Sequence, residues 1–408
     1  MTVRLNPAVR ITPPSAVTGD HWLVEHLLRR RRYRMSRPAV AALIAAARPA
    51  EPQELAELLA GSKAMPRPVD HWLELIGTLR ERELLVDTEQ AAADPELDWL
   101  VSVRRDWSRH GWHEAVEYHT LCFDYPCVDY SEALGILADR DRMRDYQSYE
   151  PDTDRYKLDY TDRPGVGLPG LTADLIPATA HDIWAGRTGA APVDREALEK
   201  VVAAAFGMTG RIIPRTESAP LLRRSSPSGG GRHPSEAYVV VRDIAGLEPG
   251  WYHVTMLPFS LRSVEGPSVD DASLSRLFPN TLGRFPLHAK ALVVLTTVFE
   301  RNMYRYREPR TYRTVHMDAG HLAATTRIAA RSLGLTAAIF YCDAAREIED
   351  ALGVDGLAEG YQLTVALADG QQEDAELRIP ASLKAAAEAT TPRAGELRAA
   401  ATRTEGAS

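Results

Sequence analysis

Apolar residues recur at helical spacing through the first part of the chain. Between residues 22 and 86, the segments RPAVAALIAAA, PQELAELLAG and VDHWLELIGTLRERELLVD place apolar side chains three and four positions apart. This spacing is typical of amphipathic helices. It predicts a compact helical domain over residues 1–90, and helices followed by the short apolar run ELLV resemble a winged-helix unit. Such domains bind DNA or, in peptide-modifying enzymes, a leader peptide, and a helical dimerisation or packing domain is the alternative.

The hydrophobic pattern weakens between residues 91 and 175. This stretch is rich in Asp, Tyr, Arg and Trp; it predicts a helix in WHEAVEYHTLCF and irregular chain in SYEPDTDRYKLDYTDRPGVGLPGL. Without a clear period of its own, such a segment favours a connector that packs on both of its neighbours.

Strand and helix patterns mix without regular alternation over residues 176–380. VDREALEKVVAAAFG predicts a helix that Asp194 begins and Gly207 ends. The runs in EAYVVVRDI, KALVVLTTVF, LTAAIFYC and YQLTVALA predict buried strands. MDAGHLAATTRIAARSLGL predicts a long helix that is buried on most faces. The mixture predicts an α+β domain, followed by a flexible tail over residues 381–408.

Composition narrows the class of protein. A chain of 408 residues favours two domains, and its net charge of −8 disfavours nucleic acid as a partner. Its three cysteines are few and odd in number, which favours a reducing compartment. No stretch approaches the ~18 consecutive apolar residues of a membrane span, and the first residues lack an apolar signal core. We therefore expect a cytoplasmic protein that does not bind membranes.

Two segments look like known binding motifs, but the residues in and around them do not support either match. GVGLPG matches GxGxxG, but no predicted strand precedes it, and Pro169 stands where the following helix would have to open. His113 and His119 are six positions apart, which places them on opposite faces of a helix. We therefore expect neither a dinucleotide site nor a metal site at these positions.

The stretch LLRRSSPSGGGRHPSEAYVVV, residues 221–241, leads from arginines through serines and glycines into a buried strand. The guanidinium groups of Arg223, Arg224 and Arg232 suit a phosphate or a carboxylate. Serine hydroxyls are short donors, and glycines let the backbone approach a flat ligand. On its own, however, the pattern favours a flexible basic loop.

Four ordered segments carry a family resemblance. SPSGGGRHPSEAYVVV and IAGLEPGWYHV resemble the SagB-type dehydrogenases of the FMN-dependent nitroreductase superfamily, as do YRYREPRTYRTVHMDAGHLAATTRIAARSLGL and LGVDGLAEG. The resemblance spans roughly residues 176–369. It implies a nitroreductase-like FMN-binding sandwich, typically a homodimer, behind the winged-helix-like domain. The activity it implies is oxidation of thiazolines or oxazolines in a modified precursor peptide to thiazoles or oxazoles. Cyclodehydratase subunits are possible partners.

The resemblance also implies where FMN binds. It places Ser226, Ser228, Gly229 and Gly230 along the flavin, and Arg224 near the ribityl chain or the phosphate.

A second FMN element of the superfamily is rich in arginine and matches GRTGA in this chain. Arg187 and Thr188 fit the pattern, whereas Gly186 and Ala190 stand where basic residues are usual. Charge-assisted hydrogen bonds are about twice as strong as neutral ones, so these losses would weaken phosphate binding. Arg224 would then carry more of it.

The family's catalytic Lys-Tyr pair matches Arg305 and Tyr306. A buried lysine can lose its proton and act as a base, whereas an arginine in a protein does not. Tyr306 keeps a phenol that can transfer a proton, and Arg305 would instead hold an anionic group or the substrate backbone.

Three functions remain as hypotheses. The first is azoline oxidation by an FMN-dependent enzyme. The second is a different flavin-dependent oxidation or reduction of a peptide natural product. The third is a flavin-free scaffold subunit that binds a peptide. The absence of the expected basic residues and of the lysine is consistent with this function.

Overall fold

The computed structural model describes residues 1–16, 18–123, 125, 131–172, 175–212, 221–284 and 288–370. The chain divides into two compact units, Met1–Val128 and a second that begins at Asp129. The division falls inside the predicted connector. The predicted tail, residues 381–408, and Cys127 lie outside the described residues.

The elements of the first unit are, in chain order, β1 Val3–Leu5, β2 Val9–Thr12, β3 Trp22–His26, β4 Arg31–Met35, α1 Arg37–Ala45, α2 Pro52–Ala60, α3 Val69–Glu81, β5 Leu85–Asp87, α4 Thr88–Ala93, α5 Pro95–Ser108 and α6 His113–Cys122.

Helices α1, α2 and α3 form the centre of this unit, and the helical prediction is confirmed for them. Their apolar faces meet around Leu43, Trp72 and Ile76, which are fully buried. Strands β2, β3 and β4 form an antiparallel sheet in that order, and β1 pairs with β5.

The prediction of helix from residue 22 is wrong for the residues before α1. β3 and β4 form an antiparallel hairpin in which Val24 pairs with Tyr33. Aromatic and β-branched side chains favour this pleated arrangement, and the helical apolar spacing begins only at Arg37.

The elements of the second unit are, in chain order, α7 Ala133–Tyr149, β6 Gly165–Gly167, α8 Ala180–Trp184, α9 Arg195–Phe206, β7 Met208–Ile212, β8 Leu221–Arg224, β9 Ser235–Val241, β10 Gly250–Met256, β11 Phe259–Val264, α10 Asp271–Leu277, β12 Ala291–Val298, α11 Glu300–Arg305, α12 Thr311–Ser332, β13 Thr336–Phe340, α13 Ala345–Leu352 and β14 Glu359–Ala368.

A seven-stranded sheet organises the second unit, in the order β13-β14-β12-β9-β10-β11-β6. Neighbouring strands are antiparallel throughout. In the central pair, Val239 lies opposite Val293 and Val240 opposite Leu292. Because side chains alternate along a strand, Val239 and Val293 share one face of the sheet while Val240 and Leu292 share the other.

Helices cover both faces of this sheet. α9 and α12 pack on the face of Val239 and Val293, and α10 and α13 pack on the opposite face. The four predicted strands and the long predicted helix are present as β9, β12, β13, β14 and α12. Asp194 caps α9 through the amide of Ala197, and the helix ends at Gly207 as predicted. The α+β prediction is confirmed.

Two features are absent from the described residues, a membrane-spanning helix and a cluster of metal ligands. None of their helices is long and apolar enough to cross a bilayer. They contain no group of three or more histidine, cysteine, aspartate or glutamate residues arranged to hold a metal ion.

Candidate active site

The loop that joins β8 to β9 is tied to its surroundings at several points. At its start, Ser225 Oγ donates to the carbonyl oxygens of Ala204 and Ala205 at 2.5 and 3.0 Å. These are among the last carbonyls of α9, which have no partner within the helix. The serine thus satisfies a helix end and fixes where the loop begins.

Asp318 of α12 holds the middle of the loop. Ser228 Oγ donates to Asp318 Oδ2 at 2.7 Å, and the Gly229 amide donates to Oδ1 at 3.0 Å. Ser228 Oγ also accepts from the His233 amide at 2.9 Å, which closes the loop on itself. Burial raises the pKa of Asp318 above its ordinary value of 3.8, and the hydrogen bonds from Ser228 and Gly229 oppose that shift.

The loop glycines make room for side chains of the same chain. A Cβ on Gly229 would lie 2.4 Å from Thr314 Cγ2, and one on Gly230 would lie 2.1 Å from the Tyr306 hydroxyl oxygen. Gly230 also has a φ of +63°, where a side chain is strained. The glycines were expected to approach a flat ligand. Here they bring the loop against α12 and Tyr306, so Tyr306 and Gly230 are in direct contact.

Several polar groups around the loop lack partners among the described residues. Ser226 is 1% exposed, and its hydroxyl has no hydrogen bond. The amide of Asn302 is fully buried beside Asp318 without hydrogen-bonding geometry on either atom. Arg224 Nε is buried without an acceptor. Burial lowers the pKa of Arg224 to about 10; the charge of Arg301 adds to this shift, and the charge of Glu236 opposes it.

The neighbouring arginine Arg232 is a structural group. It is 1% exposed, and it donates from Nε to the Arg301 carbonyl at 2.7 Å and from Nη2 to Asp152 Oδ1 at 2.9 Å. The carboxylate that its guanidinium was expected to bind is therefore one from its own chain. Arg223 is exposed at the surface.

Arg301 and Glu236 form a buried pair on β9 and α11, joined at 2.5 Å. Glu236 also contacts His253 Nε2 at 2.9 Å. Burial alone would raise the pKa of Glu236, but Arg301 and His253 together lower it well below its ordinary range. The carboxylate is thus charged at neutral pH and holds Arg301 in place.

Arg305 is paired with a residue that sequence reasoning missed. Its guanidinium makes a two-pronged contact with Asp139 of α7, with Nη1 to Oδ1 at 2.9 Å and Nη2 to Oδ2 in closer contact. Asp139 lies in ADRDRMRDY, where charged residues are so frequent that no pattern distinguishes one of them. Tyr306 follows Arg305 directly, and the Arg305 guanidinium carbon lies 5.2 Å from the centre of the Tyr306 ring.

The second predicted cofactor element lies apart from the loop. Arg187 donates from Nη2 to Asp182 Oδ1 at 2.8 Å, and its side chain is 50% exposed. Thr188 is half-buried. Among the described residues, no hydrogen bond or ion pair joins Arg187 or Thr188 to the loop.

The GRTGA segment and the glycine loop approach α12 at different points along the helix. The Ala191 amide donates to the Gly334 carbonyl at 3.0 Å, just beyond the end of α12. Fourteen residues separate Asp318 from Ser332 on that helix, which is about 21 Å along its axis. The GRTGA segment therefore approaches the opposite end of α12 from the loop.

Residues 189–370 match the family described as the nitroreductase family. This range contains the loop, Asp318 and Tyr306. Residues 189–370 form a nitroreductase-family domain. The predicted superfamily and its fold are therefore confirmed, and the nitroreductase domain carries most of the predicted site residues, whereas Arg187 and Thr188 precede it.

Two curated proteins are similar to this chain. The trifolitoxin-processing protein TfxB of Rhizobium leguminosarum bv. trifolii is 30% identical over 238 residues, which are 54% of this chain and 61% of TfxB. A nitroreductase-like protein of Methanocaldococcus jannaschii is 29% identical over 161 residues, which are 38% of this chain and 74% of that protein. The chain thus spans about three fifths of the length of TfxB.

Among solved structures, a nitroreductase-like protein of Anabaena variabilis is 24% identical to this chain. The alignment covers 57% of this chain and 47% of that protein, with a TM-score of 0.38. At that TM-score the likeness supports no conclusion of its own.

Replacing Asp318 tests its hold on the loop. Asp318→Ala leaves two half-buried donors without an acceptor, so the free energy of unfolding should fall by up to about 1–3 kcal/mol per donor. Asp318→Asn keeps one acceptor and should cost less. Because the native pKa of Asp318 is raised, the stability that this carboxyl contributes is fully present below pH 3.8 and is lost as the pH rises through the native pKa.

Denaturant unfolding at several pH values measures both effects. The stability of Asp318→Asn relative to wild type should rise as the pH increases from about 3.5 to 7, since only wild type then carries a desolvated charge. Asp162→Asn, at an exposed aspartate, is the control and should change little. A wild-type advantage that grows with pH would contradict the assignment.

Proposed function

We propose that the chain is an FMN-dependent oxidoreductase that acts on a ribosomally made peptide. The reaction we propose is oxidation of thiazoline or oxazoline rings to thiazole or oxazole. The observation that carries the proposal is the contact of Tyr306 with the glycine loop inside a nitroreductase-family domain. The similarity to TfxB, a trifolitoxin-processing protein, supports a peptide substrate. Cyclodehydratase subunits and a second copy of the chain are the partners we propose.

The residues around the loop fit FMN in part. Arg224 offers a buried Nε without an acceptor among the described residues, and its guanidinium charge suits a phosphate. Ser226 and Asn302 offer buried polar atoms that lack partners and can bond to the polar edge of a ligand. Ser228 and Gly229 would act indirectly, since Asp318 already accepts from both. When bound, FMN supplies the hydride acceptor for ring oxidation.

Tyr306 is the residue that we assign to proton movement. Oxidation of an azoline to an azole removes a hydride and a proton from the ring, so a group must receive the proton. The Tyr306 hydroxyl lies at Gly230, at the surface of the loop that would hold the cofactor. Arg305 cannot serve as the base because its guanidinium stays charged, and Asp139 occupies it.

A flavin-free, peptide-binding subunit is the second candidate. The observation that favours it is the loss of expected cofactor contacts, since Arg187 pairs with Asp182 at the surface and the Gly229 amide is bound to Asp318. Another flavin-dependent oxidation or reduction of a peptide remains the third. FMN binding and the change in mass of an azoline-bearing peptide separate these functions.

Cofactor binding tests the proposal first. The purified protein should be yellow and release FMN on heating, and a colourless protein that does not bind added FMN would exclude both enzymatic functions. Arg224→Gln should weaken FMN binding about 10- to 100-fold, which corresponds to one or two charge-assisted hydrogen bonds. Arg223→Gln is the matched control, because Arg223 is adjacent but exposed. Titration followed by flavin fluorescence measures both affinities.

Substitution of Tyr306 tests the chemistry. Tyr306→Phe removes only the hydroxyl, so FMN should remain bound while turnover of an azoline-bearing peptide falls about 10²- to 10⁴-fold. Mass spectrometry detects the reaction as a loss of two hydrogens per ring. Tyr312→Phe, at a half-exposed tyrosine nearby, should turn over like wild type. Unchanged activity in Tyr306→Phe would remove Tyr306 from the mechanism. If wild type binds FMN but leaves the mass of the peptide unchanged, a different flavin-dependent reaction is favoured.

The first unit is the part of the chain to which we assign leader-peptide binding. β4 is an edge strand whose outer side has no strand partner among the described residues. Edge strands accept extended peptides through backbone hydrogen bonds. Arg31 and Arg34 on this strand are exposed and have no carboxylate partner in the described chain, so they favour an acidic segment.

Charge reversal on β4 tests this assignment. Arg31→Glu combined with Arg34→Glu should weaken binding of the precursor peptide at least about tenfold at low salt, since two attractions become repulsions. Arg48→Glu is the control, at an exposed arginine on the same unit but outside β4. Fluorescence anisotropy of a labelled precursor measures the affinity. Equal losses in the control and in the β4 variant would indicate a general charge effect and contradict docking on β4.

A further inference from the structure

The contact between Asp139 and Arg305 stands out among the ion pairs of the second unit. Their side chains are 7% and 11% exposed, and each of the two terminal guanidinium nitrogens contacts one oxygen of the carboxylate. A bidentate pair of this kind fixes the relative position and the orientation of its two groups. The pair joins α7 to the last residue of α11.

The residue that follows this pair is Tyr306. Its amide donates to the Asn302 carbonyl at 2.9 Å, so Tyr306 continues the turn that Arg305 ends. Its ring lies under the Arg305 guanidinium and its hydroxyl against Gly230. A displacement of Arg305 therefore displaces the phenol from the loop.

We propose that Asp139 is a positioning residue of the active site, which holds Tyr306 against the glycine loop through Arg305. The inference rests on the proposed function for its catalytic consequence. Separating the two partners would leave each charge uncompensated where its side chain is largely buried. The pair therefore couples the position of α11 to that of α7.

This assignment gives the arginine a role that a catalytic lysine could not share. A lysine at position 305 could give up its proton and act as a base, but Arg305 keeps its charge and its carboxylate partner. Substrate anions would have to displace Asp139 to reach the guanidinium. The chemistry is then left to Tyr306, and the Arg305–Asp139 pair supplies the geometry.

A double-mutant cycle with two readouts tests the proposal. The variants are Asp139→Asn, Arg305→Gln and their combination, made in the full chain. Amide hydrogen exchange over α11 and Tyr306 reports position without any need for activity. Turnover of an azoline-bearing peptide reports the consequence for the reaction.

We expect each single variant to speed exchange of these amides about tenfold and to lower kcat about tenfold, within the range of coupling for contacting residues. KM should stay within about twofold, since the pair does not contact the substrate. The combined variant should be no worse than either single one. Arg305→Lys keeps a cation opposite Asp139 but cannot form the two-pronged contact. It should therefore recover only part of the protection and of kcat that Arg305→Gln loses.

Glu150→Gln is the matched control, because it removes a more exposed pair between the residue that follows α7 and Arg307, which lies two residues beyond α11. It should leave exchange and kcat near wild type. The proposal is overturned if Asp139→Asn changes neither readout. It is also overturned if Arg305→Gln is the more damaging change and the two effects multiply, which would indicate an independent role for Arg305. If wild type binds no FMN, the proposed function fails, and the exchange cycle still decides whether the pair positions Tyr306.

Discussion

The burial of Arg301 is the constraint on which the site depends. A guanidinium cannot lose its charge, so one that is 2% exposed needs a partner for each donor. It finds Glu236 on the central strand, the Asp154 carbonyl and the His233 carbonyl. Its own carbonyl accepts from Arg232 in the glycine loop. Arg301 therefore joins the sheet, the connector, the loop and α11, the helix that ends just before Tyr306.

This arrangement changes how the glycine loop is understood. Serines and glycines before a buried strand suggest a backbone that is open to a ligand. In the folded chain, Asp318 takes the Gly229 amide and the Ser228 hydroxyl, and Gly230 admits Tyr306. The loop is thus held rigid by its own protein, which favours a site formed before its ligand binds. The groups still available, Arg224 among them, lie where the loop begins.

The helices and strands of the second unit were predictable because their buried faces require apolar residues at the spacing of a helix or a strand. The β-branched run of β9 and the small apolar residues of α12 have faces that only a layered α+β fold can cover. The hairpin of β3 and β4 was not predictable in this way. Arg31–Met35 holds four polar or charged positions in five, and its strand conformation comes from pairing with β3.

The fold class, the nitroreductase resemblance and the segment that carries the glycine loop could all be inferred from the sequence, since they depend on local pattern and on motif order. Which charged groups pair with each other depends on how the chain folds. Asp139 and Arg305 are 166 residues apart in the chain, and Asp318 is 90 residues from Ser228. Partner choice between distant charged groups depends on burial and on geometry, which charged residues in a sequence do not display. The same reason explains why Arg187 matched a cofactor motif and lies instead beside Asp182 at the surface.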